Sequence, residues 1–178
     1  MISTAKIASP EPLASAGTAR WRVILNGKVA GNPIVRTAIG SLRESGRDVE
    51  VRVTWEQGDA QRFTAEASRD RFDLVVAGGG DGTVNEIVHG LMDLPPERRP
   101  VFGIVALGTA NDFASGCGIP ADPKQAFELC ARGRAAVIDV GKANDRYFIN
   151  AASGGFGATL TASTPPELKR LLGGRPTP

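Results

Sequence analysis

Residues 75–91, VVAGGGDGTVNEIVHGL, constrain the chain more than any other stretch. An apolar, β-branched run passes through Gly78, Gly79, Gly80, Asp81 and Gly82 into a segment with Val84, Ile87, Val88 and Leu91 at i, i+3, i+4 and i+7. That spacing puts the four side chains on one face of an amphipathic helix, expected over residues 83–92. Strand, bare-backbone loop and helix thus follow one another, and a helix after a buried strand is the repeating unit of a parallel sheet.

The same alternation runs along the rest of the chain. RWRVILN is a short apolar run entering the turn-rich GKVAGN. A helix is expected from Pro33, with Ile34, Ala38, Ile39 and Leu42 on one face and a stop at Gly46. A β-branched strand follows at residues 49–55, then a helix in GDAQRFTAEASRD with Asp59 as its cap. FDLVVA and VFGIVAL make two more strands, DPKQAFELCARG a helix ended by Gly133, AAVIDVGKA and RYFINAA a candidate hairpin, and TPPELKRLLGG a final helix. The expected fold is α/β, with three layers and a mostly parallel central sheet covered on both faces.

Composition narrows the function classes. At 178 residues and 42% hydrophobic, the chain has enough apolar material for one sizeable core. A formal net charge of +2 gives no electrostatic pull toward nucleic acid, so no such partner is expected. Cys117 and Cys130 fit neither a zinc knuckle nor a redox CxxC and read as reduced, structural thiols of a cytoplasmic protein. No run approaches the roughly 18 apolar residues that span a bilayer. Residues 1–19 lack a continuous apolar segment of the signal-peptide type and are expected to form a disordered tail.

In a parallel sheet of this kind, ligands sit beyond the carboxyl ends of the strands. Asn26, Thr54, the stretch from Gly78 to Gly82, and residues 107–109 all follow predicted strands and are expected on one rim. Glycines before a helix let backbone N–H groups approach an anion, and the helix start adds partial positive charge, which together make a phosphate cradle. The loop is not a Walker A motif, because Val29 follows Gly27 and Lys28 where a hydroxyl residue is required. Nor is it a dinucleotide fingerprint, since Thr83 stands where the third glycine belongs. A tight structural turn is the alternative use of the glycines. Asp81 has two readings, a turn or helix-cap residue and an organiser of Mg²⁺ or water around a polyphosphate. A side chain at Gly82 is expected to occupy the space a phosphate needs, and a left-handed backbone there would add a penalty.

GGGDGTVNEIVHGL followed by ALGTANDFA resembles the diacylglycerol kinase catalytic family, whose nucleotide fold is shared with sphingosine kinases and, more remotely, NAD kinases. ILNGK, VRVTWEQGDA, CGIP and FINAASGGFG look most like the bacterial YegS-type lipid kinases, with the resemblance running over residues 20–173. It implies ATP-dependent phosphate transfer to a hydroxyl of a membrane glycerolipid such as phosphatidylglycerol or diacylglycerol, with Mg²⁺ and peripheral membrane contact. It also implies a nucleotide site at Thr54, Gly80, Asp81, Gly82, Thr83, Val84, Asn85, Glu86 and Thr109, with Asn26, Asn111 and Asp112 as additions. Family members continue into a second, mostly β domain holding the presumed catalytic and metal positions; residues 174–178 are accordingly expected to be a truncated end. No catalytic residue is assigned, and the alternative is an inactive fragment that only binds nucleotide or self-associates.

His89 lies off the apolar stripe and is expected at solvent or a helix edge. Arg98 and Arg99 sit in a turn that reads as a solvated loop or a contact for anionic headgroups, and Gly154 and Gly155 as a crevice closure or hinge.

Overall fold

The structure is a computed structural model and describes residues 2–7 and 19–149. Its elements, in chain order, are β1 (Ile2–Ile7), β2 (Arg20–Asn26), α1 (Pro33–Glu44), β3 (Asp48–Thr54), α2 (Asp59–Arg69), β4 (Leu74–Gly79) and α3 (Asp81–Met92). A short 3-10 turn at Pro96–Arg98 precedes β5 (Val101–Ala106), α4 (Asp112–Gly116), α5 (Pro123–Arg132), β6 (Ile138–Ala143) and β7 (Arg146–Phe148). The final predicted helix and the pair Gly154 and Gly155 lie outside the described residues.

Four strands form the expected parallel sheet, in the order β3-β2-β4-β5. Side chains alternate across it with the period of two that extended backbone dictates. Trp21, Val23, Leu25, Leu74 and Val76 point to one face, where Val35, Ala38 and Ile39 of α1 and Ala126 and Phe127 of α5 cover them. Ile24, Val75 and Ala77 point to the other, under Ala60, Phe63 and Ala67 of α2 and Val84, Ile87, Val88 and Leu91 of α3. The predicted stripe of α3 is therefore its core face.

The strand order creates a switch point. From β2 the chain turns outward through α1 to β3, on one side. From β4 it leaves through α3 toward β5, on the opposite side. Adjacent strands whose connections depart in opposite directions leave a crevice at their carboxyl ends, and here that crevice lies between β2 and β4.

Two close approaches fix the helices around it. Gly90 brings α3 against α2, since a Cβ there would sit 2.8 Å from Thr64 Cβ and 2.9 Å from the Gln61 carbonyl oxygen. Arg22, only 1% exposed in the middle of an apolar strand, is held by Glu50 at 3.1 Å and Asp70 at 3.3 Å, with its guanidinium 4.1 Å from the centre of the Phe72 ring.

Three expectations need revision. Residues 2–7, read as part of a disordered tail, form β1, antiparallel to β6 in a second sheet of order β1-β6-β7. The β-branched Ile and Thr of ISTAKI suit extended backbone, and β6 offers a free row of backbone groups to pair with. Asp59 is not the cap of α2: Gly58 takes that position with φ 91°, and Asp59 begins the helix. The Arg98–Arg99 turn is partly 3-10, and Arg99 is directed back, its Nε donating to the Leu94 carbonyl at 3.0 Å.

The expected hairpin is present as β6 and β7. Cys117 is exposed, while Cys130 is largely buried, which pushes its thiol up to about 11. Among the described residues no helix is long and apolar enough to cross a membrane.

Candidate functional site

The glycine run divides into two parts with different uses. Gly78 and Gly79 belong to β4 and are buried: a Cβ on Gly78 would overlap the Leu25 side chain, and one on Gly79 would overlap Thr83. Gly80 is the N-cap of α3 and has no side chain to accept the amides of the first turn. Gly82 is exposed in that turn, and a Cβ built on it meets nothing within 4 Å. The helix begins at Asp81, two residues earlier than its apolar periodicity indicates, and Gly82 has no left-handed φ. The strain argument for this glycine therefore falls away, and open space in front of the helix start remains.

In front of it lies a cleft of about 610 Å³ at the switch point. Asn26, Gly27 and Lys28 line it from the end of β2, residues 54–57 from the end of β3, Ala60 from α2, and Gly82, Thr83 and Glu86 from α3. Its volume falls in the range of small-molecule sites, roughly 300–1,000 Å³. Asn26 ties the two central loops together: its Nδ2 donates to Thr83 Oγ1 at 3.3 Å, and its Oδ1 accepts from the Lys28 N–H at 3.0 Å. Gly27 lets the β2 loop pass against β3, because a Cβ there would lie 2.5 Å from the Thr54 carbonyl oxygen. Thr54 itself is 9% exposed at the last position of β3.

The other predicted residues fall on the far flank of Gly80. Gly108 packs against Gly80 main chain to main chain, and Asn111 locks this loop by accepting from the Gly108 N–H at 2.9 Å and donating to its carbonyl at 2.8 Å. Asp81 turns toward the same flank, where its carboxylate accepts from the N–H groups of Asp112 at 3.3 Å and Phe113 at 3.4 Å. It thus caps α4, a helix too short for sequence periodicity to reveal. Thr109 and Asp112 are exposed on this side. Val84 points into the core, and its N–H is used within the helix by the Gly80 carbonyl. Asn85 Oδ1 is buried without a hydrogen-bond partner. His89 packs at a helix edge, where its Nε2 accepts from the Tyr147 N–H at 3.2 Å and its ring meets that of Tyr147 edge-on.

Sequence reasoning missed part of the cleft. Lys28, Trp55, Glu56 and Gln57 line it without having been singled out, and Asp59 organises their loop. Asp59 Oδ2 accepts from the N–H groups of Trp55 at 2.7 Å and Glu56 at 3.1 Å, while Oδ1 pairs with Arg62. Foremost the Trp55 amide, then Arg62 and the Glu56 amide, hold this carboxyl down to about 2.

An anion fits this arrangement, since the uncapped start of α3, its dipole and Lys28 border the open cleft. Among the described residues no group of three His, Cys, Asp or Glu side chains is assembled for a metal ion. Mg²⁺ commonly takes only one or two carboxylates and completes its shell with substrate phosphates and water; Glu56 and Glu86 are carboxylates on the wall of this cleft, while Asp81 is turned to the α4 flank.

Comparison with known proteins agrees with this fold. Two bacterial proteins named "Probable lipid kinase YegS-like", from Yersinia pestis (strain Pestoides F) and Yersinia pseudotuberculosis serotype O:1b (strain IP 31758), are each 52% identical over 153 residues. Each match covers 85% of this chain and 52% of the relative, so the chain spans about half the length of the curated relatives it matches. A crystal structure of a diacylglycerol kinase from Bacillus anthracis str. Sterne superposes with a TM-score of 0.63 at 33% identity, over 74% of this chain and 48% of that one. Residues 20–143 match the family described as "Diacylglycerol kinase catalytic domain", and the chain belongs to that family.

Proposed function

We propose that the chain carries the nucleotide-binding part of an ATP-dependent lipid kinase, which transfers a phosphoryl group to a hydroxyl of a membrane glycerolipid such as diacylglycerol or phosphatidylglycerol. The observation that carries this reading is the cleft at the β2–β4 switch point, which opens onto the first turn of α3 where Gly80 supplies no side-chain cap.

In phosphoryl transfer the new bond joins the acceptor oxygen to the γ-phosphorus, the bridging P–O bond to ADP breaks, and the hydroxyl proton departs. Negative charge spreads over the three equatorial oxygens, so fixed positive potential at that point lowers the barrier. The start of α3, with its dipole, and Lys28 lie on the wall of the cleft and supply such potential. Mg²⁺ would add charge neutralisation there, with Glu86 as a carboxylate of the cleft wall to help hold it. Asn26 and Thr83 hold each other in place, and Asn111 holds the loop behind Gly80, so the cradle is organised before a ligand enters. The glycerolipid acceptor rests on the likeness to the YegS-like and diacylglycerol kinase relatives.

The test is incubation with γ-labelled ATP, Mg²⁺ and mixed micelles containing diacylglycerol or phosphatidylglycerol, together with calorimetric titration by Mg-ATP. Saturable binding and labelled lipid are expected. Binding without lipid labelling removes the acceptor assignment, and absence of both overturns the kinase reading.

A further inference from the structure

Trp55 is the large side chain that the fold leaves unused. It is 95% exposed, whereas Trp21, the other tryptophan, is 1% exposed in the core. An indole carries a large apolar surface, roughly 150–250 Å², which soluble proteins ordinarily cover. Nor is its attachment loose: the Trp55 N–H is bonded to Asp59 at 2.7 Å, directly after Thr54, the buried last residue of β3. The backbone thus anchors the residue on the rim of the cleft, beside Asn26, Lys28, Gln57 and Ala60.

That place has a geometric meaning. The phosphate end of the cleft is at α3, directly after β4, while Trp55 follows β3, the edge strand beyond β2. Neighbouring strands are about 4.8 Å apart, so the two ends of the cleft are separated by roughly two spacings, near 10 Å. A nucleoside triphosphate held by its terminal phosphates at Gly82 and Thr83 extends over that distance before reaching its base. Aromatic side chains accept the flat face of any base.

We propose that Trp55 stacks on the base of the bound nucleotide, so that the cleft holds a purine nucleoside triphosphate at both ends: phosphates on the α3 amides, base on the indole. This inference rests on the nucleotide reading of the cleft and specifies its second contact. Because every purine offers a π-face, the stack adds affinity without choosing between adenine and guanine.

Calorimetry on the full chain separates the two claims. Wild type, Trp55→Phe and Trp55→Ala are each titrated with Mg-ATP, Mg-GTP and Mg-tripolyphosphate. Trp55→Ala is expected to bind Mg-ATP and Mg-GTP roughly 10-fold more weakly, the usual size of a lost base–aromatic stack, and tripolyphosphate unchanged. Trp55→Phe is expected to keep most of the affinity. In a Trp21→Phe background, the remaining indole fluorescence is expected to respond to ATP and not to tripolyphosphate. Equal Mg-ATP affinity in wild type and Trp55→Ala overturns the stacking contact and leaves the nucleotide reading intact. A substitution that weakens only binding to anionic phospholipid vesicles overturns it in the same way. If wild type binds tripolyphosphate but no nucleotide, the base contact is refuted and the anion cradle stands; if it binds neither, both fall.

Discussion

Replacing Gly82 by valine isolates the cradle from the fold. The residue lies in the first turn of α3 with ordinary backbone, and a Cβ there has nothing within 4 Å. Folding should hardly notice the change. Glycine in a helix costs about 1 kcal/mol relative to alanine and valine roughly 0.6, so the variant gains a few tenths of a kcal/mol and its melting temperature moves by no more than about 2 °C. The isopropyl group instead projects into the space that phosphate oxygens need in order to reach the amides of residues 82 and 83. Hydrogen bonds to a charged acceptor contribute about 1.5–3 kcal/mol each. Losing two of them weakens binding by about 3 kcal/mol or more, at least roughly 100-fold in Kd. Calorimetric titration of wild type and Gly82→Val with Mg-ATP, alongside thermal melts of both, reads the two quantities separately. Equal affinities, or a loss of affinity matched by a large drop in melting temperature, would refute the reasoning.

Two further outcomes follow from the packing and the loop. Gly90→Val places methyl groups where Thr64 and the Gln61 carbonyl already sit, so α2 and α3 must separate; a destabilisation of about 1–3 kcal/mol is expected in urea unfolding, and an unchanged midpoint contradicts the close approach. Asp59, held down to about 2, favours the folded loop wherever it is ionised. Since its folded pKa lies below the unfolded value of about 3.9, that contribution is complete above roughly pH 4 and is lost as pH falls toward 2. In a Trp21→Phe background the Trp55 emission is expected to stay constant down to about pH 4 and then change, with Asp59→Asn showing the altered emission already at pH 7.

Much of the layer structure was legible because it follows from local periodicity. The i, i+3, i+4, i+7 stripe of α3 and the apolar runs of β2, β4 and β5 each recorded which faces must be covered, and the faces they indicated are those in the core. What periodicity does not carry is the volume of a partner from elsewhere in the chain. Gly78 and Gly79 read as loop because glycine is rare in strands, yet they are strand residues whose missing side chains make room for Leu25 and Thr83. Asp59 read as a helix cap because acids precede helices, and only the three-dimensional course of residues 55–58 shows its carboxylate reaching backward. The role of Asp81 at α4 depends on a contact spanning 31 residues, and the pairing of β1 with β6 on one spanning far more. Thr54 and Asn26 meet at one cleft because strand ends in a parallel sheet share one rim whatever the strand order. Which of those loops form the cleft and which lie behind Gly80 depends on that order, and it is absent from any single segment.

Where Gly80 meets Gly108, two main chains touch with no side chain between them. Flexible side chains absorb small displacements by changing rotamer, and here there are none to do so. The helix start and the β5–α4 connection are therefore held at backbone-to-backbone distance, with no room for a side chain on either glycine.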